Sequence, residues 1–146
     1  MTYLLAGETE HKDSGGHQGR LMPGDVQWMT AGSGVIHSEM PAPNFYKQGG
    51  KMHGFQIWIN LPRDRKMISP RYQDTPAEKI PEVLLEDGAS KVRVITGEFQ
   101  TTRAVIETKI PILYLHIKLQ AGMKIVQPVT SDHNCMAYII DGHGLF

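Results

Sequence analysis

The alternation of apolar and polar positions resolves the chain into short segments broken by Gly, Pro, Asn and Asp, and no sustained i, i+3, i+4, i+7 spacing emerges. The clearest strand runs from Ile112 to Leu119. There Leu113, Leu115, Ile117 and Leu119 alternate with Tyr114, His116 and Lys118, so a period of two lines up the aliphatic side chains on one face. Further strands are expected over Thr2–Leu5, Val26–Thr30, Val35–Glu39, Phe55–Leu61, Val92–Ile95, Ala104–Glu107 and Met136–Ile140. Asp13-Ser14-Gly15-Gly16 and Pro23-Gly24-Asp25 are turn signals. Regular short strands of this kind predict an all-β fold, a sandwich or a barrel.

From about Pro62 to Gly88 the pattern turns Pro- and charge-rich, with few positions suited to a central strand, and it reads as a connector. Pro76 and Pro81 limit the stretch Thr75–Leu85 to a single helical turn. Two β-rich blocks lie on either side, and the expected units are residues 1–78 and 79–146.

Composition narrows the function. The chain has 146 residues with 15 Lys+Arg, 15 Asp+Glu and a formal net charge of zero, so direct capture of nucleic acid or of an anionic membrane is not expected. A single cysteine, Cys135, excludes an internal disulfide and a cysteine-rich zinc module; it suits a reducing compartment, and a cytoplasmic location is the expectation. Cys135 sits in an apolar run and reads as a small hydrophobe. No apolar stretch approaches the roughly 18 to 20 residues of a membrane span, and the start lacks the features of a signal peptide.

One run asks for a chemical explanation: Pro23-Gly-Asp-Val-Gln-Trp-Met-Thr-Ala-Gly-Ser-Gly-Val-Ile-His37-Ser38-Glu39. On a strand, His37 and Glu39 project to the same side, an imidazole beside a carboxylate able to chelate one metal ion. Nitrogen and oxygen donors suit iron, manganese, nickel or zinc. Two ligands alone bind weakly, so a further donor is required. His11 and His17 flank the Asp13–Gly16 turn, where solvent exposure is expected. His53 shares parity with Phe55, Ile57 and Ile59 and reads as a core or rim residue. His116, His133 and His143 read as surface residues.

The segment Pro23–Pro41, together with His53-Gly-Phe-Gln-Ile-Trp-Ile-Asn-Leu-Pro62 and Pro70-Arg-Tyr-Gln-Asp74, closely resembles the pirin family. The likeness continues through Val92-Arg-Val-Ile-Thr-Gly97, Leu113–Leu119 and Ala137-Tyr-Ile-Ile-Asp-Gly142. It implies a cupin, the double-stranded β-helix or jelly-roll barrel, here as part of a bicupin. It also implies a non-haem metal, Fe(II) first and otherwise Ni, Mn or Zn, held by three histidines and one glutamate. His37 and Glu39 match two of those four. The other pair would come from a His-x-His strand just before Thr2–Leu5, which this chain does not include, and most of the second barrel would follow Phe146. An open barrel exposes unpaired sheet edges, so a homodimer or strand exchange completing the barrel is expected.

The implied activity is that of a pirin-type quercetin (flavonol) 2,3-dioxygenase, with Glu39 as ligand and proton acceptor and His37 as a neutral ligand. Trp28, Met29 and Phe55 are candidate pocket walls by proximity. The alternative is a non-catalytic regulatory or protein-binding module, or a degenerate cupin without metal. In the second block Gln127-Pro128 stands where a cupin places paired histidines, so that half is expected to be metal-free. Gly32-Ser33-Gly34 lacks the third glycine and the helix of a dinucleotide loop. It is not a Gly-x-Ser-x-Gly elbow either.

Overall fold

The computed structural model describes residues 1–146 as twelve short strands and one helical element longer than a single turn. The strands are β1 (Thr2–Ala6), β2 (Thr9–Asp13), β3 (Gln18–Leu21), β4 (Val26–Thr30), β5 (His37–Pro41), β6 (His53–Gln56), β7 (Arg71–Thr75), β8 (Glu82–Leu84), β9 (Lys91–Thr96), β10 (Glu98–Phe99), β11 (Thr102–Arg103) and β12 (Tyr114–Lys118); α1 is Pro43–Gln48. All pairings are antiparallel. The sheets run β6-β1-β4-β7, β3-β2-β5 and β12-β9-β8, with β10-β11 as a small ribbon. No helix is long and apolar enough to cross a membrane.

Local chemistry sets the turns. In the β2–β3 hairpin the Asp13 carboxylate accepts the backbone N–H groups of Gly15 and His17, both at 2.8 Å, and Gly16 takes φ +84, a left-handed conformation that needs no Cβ. Before β4, Asp25 Oδ2 accepts the Met22 N–H at 2.8 Å and its Oδ1 accepts the Ala77 N–H at 2.8 Å, tying this turn to the chain after β7.

The β6-β1-β4-β7 sheet has two unlike faces. Tyr3, Val26, Trp28 and Phe55 share one face by register, and they pack on Ile80, Ile95 and Ile106 from later in the chain. A second cluster, Val92, Val94 and Phe99, lies under Val83 and Leu115. The other face of the sheet carries Thr2, Gln27, Gln56, Asp74, Met29 and Tyr72.

Several elements differ from the sequence expectation. The stretch read as a connector contributes β7, paired from Val26↔Thr75 to Thr30↔Arg71. Its polar composition fits an edge strand with one face on a polar interior. Ala77–Lys79 forms the single helical turn expected there. β5 begins only at His37, because Gly34 at φ +127 and the solvent-exposed Ile36 precede it. The Phe55 strand stays paired only as far as Ile57, which exchanges two backbone hydrogen bonds with Met1, and Trp58 is exposed. Ala104–Glu107 and Met136–Ile140 form no strand. In the latter, Met136 lies in solvent, Tyr138 rests edge-on against Phe55 with ring centroids 5.2 Å apart instead of joining a sheet, and neighbouring Cys135 is exposed rather than packed.

Candidate functional site

Two inner faces meet across a polar interior. In the β3-β2-β5 sheet the registers His11↔Glu39, Asp13↔His37 and His11↔Gly19 place His11, Asp13, Glu39 and His37 on one side. That side faces the polar face of the β6-β1-β4-β7 sheet, as the cross-sheet contacts of Glu39, His11 and Tyr72 establish.

Glu39 is held at both oxygens. Thr2 Oγ1 donates to Oε1 at 2.8 Å, and the Gln56 side-chain amide donates to Oε2. Thr2 and Gln56 are partners across the β1–β6 ladder, so one register positions both donors. His37 opens β5, is exposed, and makes no hydrogen bond through its ring. Strand parity places it on the side of Glu39.

His11 corrects the expectation of a solvated hairpin residue: it is only 4% exposed. The Gln27 amide donates to its Nδ1 and also to Asp74 Oδ1 at 3.1 Å. That assigns the imidazole proton to Nε2, which faces Asp74 Oδ2 at 3.6 Å and has no hydrogen-bond partner. Gly19 makes room for this arrangement, since a Cβ there would collide with His11 Nε2 and crowd Asp74. His11 thus bonds to Gln27 and lies beside Asp74 rather than bonding to Glu39.

Tyr72 closes the cluster, edge-on to His11 with ring centroids 5.6 Å apart. Burial pushes its phenol up to about 12, with Asp13 and the charges of Asp74 and Glu39 acting in the same direction. At Asp13, burial pushes the carboxyl up, but donation from the His17 and Gly15 backbone and from the His17 ring outweighs it and leaves Asp13 below its usual range. His17 stays mostly exposed, with Nδ1 3.0 Å from Asp13 Oδ2.

The other expected residues fall as follows. His53 is half-buried against Phe55. His133 and His143 are exposed. His116, read as a surface residue, is half-buried with Nδ1 2.7 Å from Tyr3 Oη. Trp28 and Phe55 lie on the apolar face, away from Glu39, and only Met29 shares the polar face. Sequence reasoning missed Thr2, Gln27, Gln56, Tyr72 and Asp74. Each occupies an alternate position on its strand, but only the registers bring them opposite His11 and Glu39.

For a metal, the donors fit in kind: an imidazole and a carboxylate on one strand face, with the carboxylate oriented by outer hydrogen bonds as metal ligands usually are. Nowhere do three His, Cys, Asp or Glu side chains come within joint metal-binding reach. His37 and Glu39 are therefore two donor side chains of suitable kind with no third within reach.

Antiparallel sheets facing one another across an interior lined with His, Glu, Gln and Tyr define an all-β protein of the cupin class. The solved quercetin 2,3-dioxygenase from Acinetobacter baumannii is similar, with 42% identity and a TM-score of 0.72 over 77% of this chain and 39% of that one. A pirin-like protein of Solanum lycopersicum is 42% identical over 146 residues, all of this chain and 48% of the relative. Pirin of Mus musculus is 41% identical over 143 residues, 97% of this chain and 47% of the relative. The Pirin family profile matches residues 1–59. The chain belongs to the pirin family, and it spans about half the length of these curated relatives.

Proposed function

We propose that the protein is a metal-binding pirin-type cupin whose His37 and Glu39 hold a non-haem divalent metal, Fe(II) first, and that it acts on a flavonol with O₂. The observation that carries this reading is the Glu39 carboxylate, fixed at both oxygens by Thr2 and Gln56 on the polar face it shares with His37. The likeness to a solved quercetin 2,3-dioxygenase supports the substrate class. When bound, the metal would act as Lewis acid and template for the substrate oxygens and O₂.

The chain's own residues supply the rest. Glu39 accepts the flavonol hydroxyl proton at a carboxylate oxygen, and the Thr2 and Gln56 donors keep that carboxylate turned toward the substrate. His37 binds through one ring nitrogen as the neutral imidazole. Met29 and Tyr72, neighbours across the β4–β7 ladder, offer apolar and aromatic surface beside this face.

Elemental analysis of protein prepared without added metal tests the reading, together with flavonol consumption under O₂. Near-stoichiometric metal that His37→Ala and Glu39→Gln remove, with flavonol turnover lost in parallel, is the expected result. The contrasting reading, a protein-binding module, draws on the pair of donors standing without a third. Metal held without flavonol turnover would favour that module, and metal-free protein would favour a degenerate cupin.

A further inference from the structure

We propose that the cleft between the loop before β7 and the segment Glu107–Ile110 is a binding site for a small phosphorylated anion. The cleft has a volume of about 570 Å³ and is lined by Arg65, Ile68, Ser69, Pro70, Arg71 and Lys109. That size accommodates a small organic ligand rather than a lone ion. On a chain with no net charge, three cations converge on one cleft.

The cleft is built from both sides. Ser33 N–H donates to the Ile68 carbonyl at 2.9 Å, and Gly32, at φ +52, leaves out the side chain that would otherwise strike that carbonyl. The Gly32-Ser33-Gly34 run, which holds no dinucleotide, instead anchors the floor of this loop. On the far side Gln73 and Glu107 exchange two hydrogen bonds, Gln73 Nε2 to Glu107 O at 2.8 Å and Glu107 N to Gln73 Oε1 at 3.0 Å. Arg65 Nη1 reaches the Lys109 carbonyl at 2.5 Å.

These anchors use only part of the available donors. Arg71 spends one guanidinium nitrogen on Glu107 Oε2, at 2.8 Å, and Arg65 lies 3.8 Å from an exposed Asp64 carboxylate, a pairing of little worth. Lys109 Nζ has no carboxylate within ion-pair distance, and the Ser69 hydroxyl makes no internal hydrogen bond. Of the two carboxylates beside these cations, Glu107 is itself held below the usual carboxylate range, first by the Arg71 hydrogen bond and then by the charges of Arg71, Lys109 and Arg103. What remains is the unspent N–H groups of two guanidinium groups, an ammonium and a hydroxyl. That donor set fits the oxygens of a phosphate group, which guanidinium N–H groups grip in pairs while the ammonium supplies charge.

Inorganic pyrophosphate is the probe, titrated at low ionic strength into the isotopically labelled 146-residue chain while backbone amide shifts are followed. Saturable shifts are expected at Ser69, Arg71 and Lys109, with binding weakened tenfold or more in Lys109→Gln and abolished in the Arg65→Ala/Lys109→Gln pair. Lys109→Gln removes a side chain without an internal partner, so its melting temperature should match the parent, and it decides the matter even if Arg65→Ala unfolds. Shifts that do not saturate overturn the site. So does equal affinity in Lys109→Gln, a response centred on Glu39, or a tricarboxylate of matched charge that binds more tightly than pyrophosphate.

Discussion

The phenol oxygen of Tyr3 lies 2.7 Å from Nδ1 of His116, so a residue at the start of the first sheet bonds to one far along the chain in the third. Arg93 Nη1 donates to the same phenol oxygen at 3.0 Å, and the Arg93 guanidinium carbon sits 5.9 Å from the Tyr3 ring centroid. With Arg93 donating in, the Tyr3 proton goes outward to His116, which requires Nδ1 to be bare.

That requirement predicts acid sensitivity. Burial, then the positive charges of Arg93 and Lys118, hold the His116 imidazole below its ordinary 6.5. Between the folded and ordinary values the unfolded chain binds more protons than the folded one, so stability falls as pH drops through that window. His116→Gln, which does not titrate, should flatten the dependence of urea midpoint on pH between about 7 and 5. A dependence unchanged by the substitution would remove His116 from the account. Tyr3→Phe should cost about 1–3 kcal/mol, because it strips partners from two polar groups at once.

Metal affinity should respond to residues that never touch the ion. Gln56→Leu and Thr2→Val each leave one Glu39 oxygen unheld, and the affinity of the Glu39 site should fall about tenfold or more in each case. Isothermal titration with Mn(II) or Ni(II) reads this directly. Unchanged affinity in both variants would mean that Glu39 orientation does not matter for the ion.

Gly19→Ala should destabilise the chain although alanine is ordinarily the better strand residue. The added methyl would drive into His11 Nε2 at a buried position flanked by Asp74. About 1–3 kcal/mol is expected in a denaturant titration. The double variant with His11→Ala should recover part of that loss, since the obstructing ring is gone.

Ile95 couples the sheets through packing alone. It is 1% exposed in the cluster that holds Tyr3, Val26, Trp28, Ile80 and Ile106. Ile95→Ala should cost about 2–5 kcal/mol. Both halves should melt together in the variant, as near-UV dichroism of Trp28 and amide exchange of β9 would show. Separate transitions would mean that the cluster does not join them.

The elements legible from the sequence were those whose own side chains alternate. β4 was read at its observed bounds and β9 within one residue at each end, because Val26, Trp28, Val92 and Val94 carry an apolar face of their own. The turns at Asp13–Gly16 and Pro23–Asp25 were legible because their residues bond to adjacent backbone. β2, β3 and β7 were not. Thr9-Glu-His-Lys-Asp13 and Arg71-Tyr-Gln-Asp-Thr75 show no aliphatic alternation, since their inward faces look onto polar side chains. Conversely, Ala137-Tyr-Ile-Ile140 has the composition of a strand but no neighbour to pair with.

The sequence by itself determined the all-β class, the family motif and the one-residue spacing of His37 and Glu39, all properties of residues close together along the chain. Tertiary structure alone decided that Glu39 is gripped by Thr2 and Gln56, that His11 is buried against Gln27 and Asp74, and that His116 reaches Tyr3. Each of these contacts depends on which strands become neighbours and in what register. A shift of one residue in any ladder would turn every such side chain to the opposite face.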